Sequence, residues 1–352
     1  MPTTTPTHRR PAPRAGTPVR RRPATHGRAR GRPGPTLRRL RRLGLPVGLA
    51  VALVVALLAW AGRSGMVVTP WSPRCTATAA GQTVHLDQEQ AANATTIAAV
   101  AIRRGLPARA VSIALAAAFQ ESDLRNLDHG DRDSLGLFQQ RPSQGWGRAE
   151  QVQDPVYAAN RFYDELVKVP GYRGMSITEA AQRVQRSAFP DAYATHETRA
   201  RVLASVLTGW STPGLACATA PATAPVERVG PAGLTPRAAA VRDELTAAFG
   251  RLPLAPAGGH LGGSGHDTGR ALDVDVRPVG DPARHRLGWA VASWAIAHAE
   301  TRSIVTVIYD GRIWTAARSE EGWQPYDAPA GPGDPATLRH LDHVHIEVAA
   351  GG

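Results

Sequence analysis

The rhythm of apolar and polar positions changes three times along the chain. Residues 43–61 form a run of 19 residues without a charge, close to the roughly 20 apolar residues that cross a bilayer. From Gln88 to about Trp210 the apolar residues recur every three or four positions, the helical period. Residues 90–104 are Ala-rich with that spacing. Pro107 stands at a plausible first helical position, and Val111, Leu115, Ala118 and Phe119 continue the stripe. Further helices are predicted near Asp154-Pro155, Ser176 and Pro190, each a capping or first-turn signal. Residues 211–232 are Ser, Thr, Pro, Gly and Ala and read as a linker.

Beyond the linker the pattern alternates. Thr235-Pro236 opens a helix to about Phe249, and Asp281-Pro282 opens another to about His298. Between and after them, residues 271–276 and 343–348 alternate with period 2. Residues 303–316 hold two short β-rich runs around Asp310-Gly311, a hairpin signal. These elements predict an α+β domain with an antiparallel sheet.

Composition adds topology. The chain has 352 residues and a formal charge of +12, but residues 1–42 carry 13 Arg and no acid. The remaining residues carry 28 basic against 29 acidic side chains, a formal −1. A nucleic-acid-binding domain would hold its charge on a folded face, so that class is not expected. The Arg/Pro-rich residues 1–42 cannot bury a core and are predicted to be a disordered cytoplasmic tail. Arginines flanking residues 43–61 keep that side of a membrane helix inside. The alternative is a cleaved secretory signal ending at Ala59-Trp60-Ala61. The long basic region favours a single-pass anchor, and both readings export the rest. Cys75 and Cys217 are the two cysteines. Outside the cell a disulfide persists, and the pair is expected to close the segment 75–217.

Two groups of residues carry chemistry. The apolar helix over 108–121 ends in Gln120-Glu121-Ser122. A carboxylate at the end of a buried helix is partly desolvated, which raises its pKa and suits a general acid for glycosidic cleavage. An Asp-rich loop follows, then Gly136-Leu137-Phe138-Gln139. Gln139 could bond a sugar or position the acid. Glu-Ser followed by Gly-Leu-Phe-Gln resembles the lytic transglycosylase branch of the lysozyme superfamily. That resemblance implies an all-α, lysozyme-like domain over 75–217, with Glu121 as the catalytic acid. Ser122, Gln139 and Tyr193 would contact substrate. Phe138 replaces Met of the second motif, and Ala192-Tyr193-Ala194 keeps two residues of the third, with Ala194 where Asn is expected. The resemblance implies one essential carboxylate, the substrate's own 6-hydroxyl being the nucleophile. Asp123, Asp128, Asp131 and Asp133 leave hydrolysis by water open.

The second group is Ser264-x-His266-x-x-Gly269-x-Ala271-x-Asp273, followed by His340-Leu341-Asp342-His343-Val344-His345. His343 and His345 share a face of a strand. Two His and one Asp leave one position open on a tetrahedral zinc ion, the catalytic arrangement. The pattern resembles the LAS-type metallopeptidases, which include zinc D-Ala-D-Ala carboxypeptidases and the penicillin-insensitive murein endopeptidase. By that resemblance His266, Asp273 and His345 bind Zn²⁺, and Asp342 is the general base. His343 and His340 stabilise the intermediate or orient water. Arg251 would bind a substrate carboxylate. The peptidase-like domain is expected over 233–352, after a linker at 218–232. Asp275, His260 and His285 are not expected to be ligands.

The two resemblances agree on one partner, peptidoglycan. They imply a multidomain, membrane-anchored bifunctional wall hydrolase: an N-terminal transmembrane helix, then the lysozyme-like and peptidase-like domains outside. The alternative is a catalytically inactive wall-binding scaffold of an export or conjugation apparatus.

Overall fold

The computed structural model describes residues 74–220, 224–255 and 265–351. The expected tail, membrane helix and Ser264 lie outside these residues. Among the described residues no helix is long and apolar enough to cross a membrane.

The first lobe is built on two helices, α1 (Gln88–Arg103) and α2 (Ala108–Ser122). α1 starts in a reciprocal cap: the Asp87 side chain accepts from Gln90 N, and the Gln90 side chain accepts from Asp87 N. α2 is buried along one continuous stretch, Ala110 to Phe119, because almost every side chain there is apolar and small. Four shorter helices follow: α3 (Ala149–Val152), α4 (Pro155–Leu166), α5 (Ile177–Gln185) and α6 (Glu197–Leu207). A 3-10 turn, Ala192–His196, leads into α6, so the chain becomes helical slightly later than Pro190 suggests.

The expectation of an all-α lobe is corrected. Strands β1 (Cys75–Ala79), β2 (Gln82–Leu86) and β3 (Leu215–Cys217) form a three-stranded antiparallel sheet in the order β2-β1-β3. Ala80 and Gly81 both have positive φ, 50° and 74°, and close the β1–β2 hairpin. Cys75 lies opposite Cys217 in the ladder, and the two form the expected disulfide.

The second lobe is α+β, as the alternation predicts. α7 (Pro236–Phe249) precedes β4 (Leu254–Ala255) and β5 (Ala271–Asp275). α8 (Pro282–Ala297) and a short α9 (Ala299–Arg302) lead to the hairpin β6 (Ile304–Tyr309) and β7 (Arg312–Thr315). Then come β8 (Gln324–Pro325), α10 (Pro335–Leu338) and β9 (His343–Val348). All six strands pair antiparallel in the order β4-β5-β9-β6-β7-β8. β5 and β9 are central, and Asp273 lies opposite His345.

The lobes are not separated by a free linker. From Gly288 to Ala297, α8 is buried at every position. It packs on β6 and β9 on one side and on α1 of the first lobe on the other. The indole nitrogens of Trp314 and Trp323 donate to Cys217 O (3.1 Å) and Leu215 O (2.9 Å), which ties the larger sheet to β3. The described residues from Arg74 to Gly351 accordingly form one compact unit.

Candidate functional site

α2 delivers Glu121 to the floor of a cleft. The helix ends because Asp123 and Leu124 both take positive φ, 52° and 61°. The chain then reverses, and Leu124 is fully buried with its carbonyl accepting from Asn93 Nδ2 at 2.7 Å. The Ser122 hydroxyl is buried and donates to Leu137 O (2.8 Å) and Ala118 O (3.1 Å). It therefore fastens the loop after α2 to the helix.

That loop is tightly specified. Leu135 and Gln140 bridge each other, and Gly136 has φ +75°. A Cβ there would sit 2.3 Å from Val152 O, so only glycine fits. Phe138, which stands where methionine is expected, is buried and stacks on Phe162 with centroids 4.7 Å apart. Gln139 lines the cleft, and its amide donates to His129 O at 3.2 Å.

Tyr193 is fully buried, and its hydroxyl donates to Glu121 Oε1 at 2.8 Å. The substitution at Ala194 leaves this contact intact. Tyr193 thus holds the Glu121 carboxyl in one orientation. Gln185 adds a hydrogen bond to Glu121 and donates to Phe138 O at 2.8 Å. Burial raises the Glu121 pKa, and the bonds from Tyr193 and Gln185 oppose that rise only in part. A half-buried carboxyl that keeps its proton more readily than usual suits a proton donor. The cleft holds about 850 Å³ and is lined by Glu121, Gln139, Trp146 and Arg186, among others. Of the four nearby aspartates only Asp131 lines it. Asp133 is engaged by Arg141 (2.7 Å) and Ser143 N (2.7 Å), and Asp128 by His129 (2.8 Å). Gln185 and Arg186 were not identified from sequence; they end a helix remote from the acid and belong to no local motif.

The second group assembles on the central strands. A turn carries His266: Arg270 N donates to Gly265 O at 2.7 Å, and Gly269 N to His266 O at 3.1 Å. Gly269 has φ +65°, and a Cβ there would meet Gly233 O at 2.6 Å. β5 and β9 place Asp273 against His345. His345 Nδ1 is 3.0 Å and His266 Nε2 is 3.2 Å from Asp273 Oδ1, and the two ring nitrogens are 3.2 Å apart. All three side chains are at least nine-tenths buried.

A shared cation suits this crowded triangle better than protons alone. If both rings donate to Asp273, two N–H groups face each other. If one nitrogen accepts from the other, its lone pair faces the carboxylate. A cation removes the conflict, and ligand atoms about 2.0–2.1 Å from a tetrahedral ion lie about 3.3 Å apart. His266, Asp273 and His345 therefore form a buried group that could hold a metal ion. Burial opposes ionisation of Asp273, but the bonds from His266 and His345 and the nearby His343 hold its pKa well below the usual carboxylate range.

The other expected residues surround this group. His343 Nε2 is 3.9 Å from Asp273 Oδ1, and His343 Nδ1 donates to Asp342 Oδ1 at 2.7 Å. Asp342 Oδ2 accepts from Thr337 at 2.8 Å. Burial raises the Asp342 pKa, but the bonds from His343 and Thr337 outweigh it and leave the group below its ordinary value. Both Asp342 oxygens are thus engaged, and His343 reaches nearer the His266-Asp273-His345 group. His340 packs edge-to-face with Tyr326 (centroids 4.9 Å apart) and at a tilt against His343 (4.5 Å). Asp275 is paired with Arg277. His285 bonds Asp310 at 2.9 Å instead of joining the group. Arg251 is exposed on the turn before β4 and is not among the side chains gathered here. Thr337 has no signal in the sequence, because the chain brings it back through α10.

No curated protein matches this chain. A family model described as VldE, C-terminal domain, matches residues 230–337, a stretch that includes His266 and Asp273 and ends before His340, Asp342, His343 and His345.

Proposed function

We propose that the protein is a membrane-anchored, bifunctional peptidoglycan hydrolase. The first lobe cleaves glycan strands and the second cleaves stem peptides. The observation that carries the reading is the coexistence, on one compact unit, of a proton-retaining carboxyl in a large cleft and a buried His-Asp-His triangle with a second His-Asp pair beside it.

In the first lobe Glu121 donates its proton to the leaving glycosidic oxygen. Tyr193 and Gln185 fix the carboxyl orientation, and Gln139 offers an amide to the sugar. With one buried carboxyl, attack by the substrate's 6-hydroxyl is favoured over a water held by a second acid.

In the second lobe His266, Asp273 and His345 would hold Zn²⁺, whose Lewis acidity polarises a peptide carbonyl and lowers the pKa of water towards about 7. Asp342 fixes the proton of His343 on Nδ1 and turns Nε2 towards the ligands. His343 is then placed to hydrogen-bond the oxyanion or to take a proton, with Asp342 as its orienting partner. His340 packs against His343 and limits its rotation.

The test is digestion of purified cell wall by the full chain, with products read by mass spectrometry. Glu121→Gln is expected to abolish glycan-derived products, including any anhydro-sugar ends. His266→Ala is expected to abolish peptide cleavage alone. Unchanged products from both variants would overturn the assignment.

A further inference from the structure

The cleft that holds Glu121 is lined by five cationic side chains, and four have a carboxylate beside them, one of which, Asp164, also pairs with Arg104 (2.7 Å). Arg141 pairs with Asp133 (2.7 Å), Arg161 with Asp164 (3.4 Å), Lys168 with Glu165 (2.7 Å) and Arg183 with Glu179 (2.8 Å). Arg186 is exposed and has no carboxylate partner among the described residues. It is the cleft cation with no carboxylate beside it, next in sequence to Gln185, which bonds the acid itself.

The backbone makes this placement costly. Arg186 ends α5 in the left-handed region, φ 53° and ψ 40°, with its N–H bonded to Gln182 O at 2.8 Å. Glycine takes this helix-ending conformation without a Cβ penalty, and Asp or Asn can ease it by bonding the local backbone. Arginine has neither advantage. A strained residue whose long side chain carries an unpaired charge into a cleft is spent on something that binds there. A guanidinium presents a planar fork matched to carboxylates.

We propose that Arg186 is a specificity residue that binds a carboxylate on the substituent of the glycan strand, so that the cleft selects strands carrying acidic peptides over neutral polysaccharide. This rests on the proposed glycan-cleaving role of Glu121. The cation holds the charged arm while Glu121 and its partners act on the sugar linkage. Loss of Arg186 is therefore expected to weaken binding of the acidic strand and to leave the bond-breaking step largely intact.

The test uses the full chain and two substrates made from the same wall material. One is the native peptide-bearing strand; in the other the peptide carboxylates have been converted to neutral amides. Arg186→Gly removes the cation and relieves the backbone, so its Tm is expected to stay level or rise by about 2–4 °C. On native strands its KM is expected to rise about 10-fold with kcat nearly unchanged. On amidated strands wild type and variant should have the same KM. An equal KM for both proteins on native strands, or an equal loss on both substrates, would overturn the proposal while leaving the role of Glu121 standing. Failure of the wild type to cleave either substrate, with peptide release intact, would overturn the glycan-cleaving role and this inference together.

Discussion

The Tyr193 hydroxyl donates a 2.8 Å hydrogen bond to Glu121 Oε1 from a ring that is itself wholly buried. Burial pushes the Glu121 pKa up, and this bond restrains it by favouring the ionised form. Acidity at this carboxyl is therefore a balance between a desolvating floor and two donors.

Tyr193→Phe removes one donor. The Glu121 pKa rises further, and the alkaline limb of the glycan-cleaving pH profile moves to higher pH. The orientation of the carboxyl also loosens, so kcat is expected to fall by about 10–100-fold, the usual range for a supporting hydrogen bond to a catalytic group. A pH-rate profile on glycan strands checks both; an unchanged alkaline limb would refute the role given to Tyr193.

Glu121→Gln separates catalysis from stability. A carboxyl whose folded pKa is raised contributes least when it must ionise. Its stabilising share is complete below the unfolded pKa and is lost as pH rises through the folded value. The glutamine keeps an oxygen for Tyr193 and never ionises. The variant is expected to match the wild-type Tm at pH 4 and to exceed it at pH 8. Thermal melts across that range test the sign.

Asp273→Ala breaks the His-Asp-His triangle at its only anion. Wild type is expected to bind one equivalent of Zn²⁺ by metal analysis and the variant none. Ligand linkage stabilises a fold by about 2.7 kcal/mol at a free metal concentration 100 times Kd. Added zinc should thus raise the wild-type Tm, a chelator should reverse this, and the variant should respond to neither. A zinc-responsive Tm in the variant would place the metal elsewhere.

Asp342→Asn keeps the shape of the side chain but removes the charge that holds the His343 proton on Nδ1. Peptide cleavage is expected to fall about 10–100-fold in kcat, with zinc content unchanged. The folded pKa of Asp342 is depressed, so its stabilising contribution is present above the unfolded value and disappears as pH falls through the folded one. The Asn variant should differ from wild type in Tm at neutral pH and converge with it in acid.

Much of the local structure is legible in the chain. Asp154, Ser176, Thr235 and Asp281 each cap the helix they announce, accepting from Val156 N, Glu179 N, Ala238 N and Ala283 N. Asp310 and Gly311 turn the β6–β7 hairpin with φ of 53° and 67°. His266, Asp273 and His345 converge because the strand alternation and the turn that ends in Gly269 are both local patterns. The first lobe's small sheet was missed: its strands have five, five and three residues, and Thr and Ala alternation this brief does not stand out from helix. Thr337, Gln185 and Arg186 enter their sites through tertiary folding. No periodicity of their own segments reports the neighbour. The same holds for α8, whose sequence from Leu287 to Ala297 is almost wholly apolar but does not show which surfaces cover it.

That helix has a consequence for how the protein can be cut or shuffled. α8 belongs by sequence to the second lobe, yet one of its sides is sealed by α1 of the first. A break anywhere in residues 218–232 would strip that cover and bring Ala, Val and Ile side chains into water. The halves are thus not interchangeable cassettes. Excised segments are expected to aggregate, and a recombinant carrying one half alone would need a substitute surface for a helix that is buried at every position from Gly288 to Ala297.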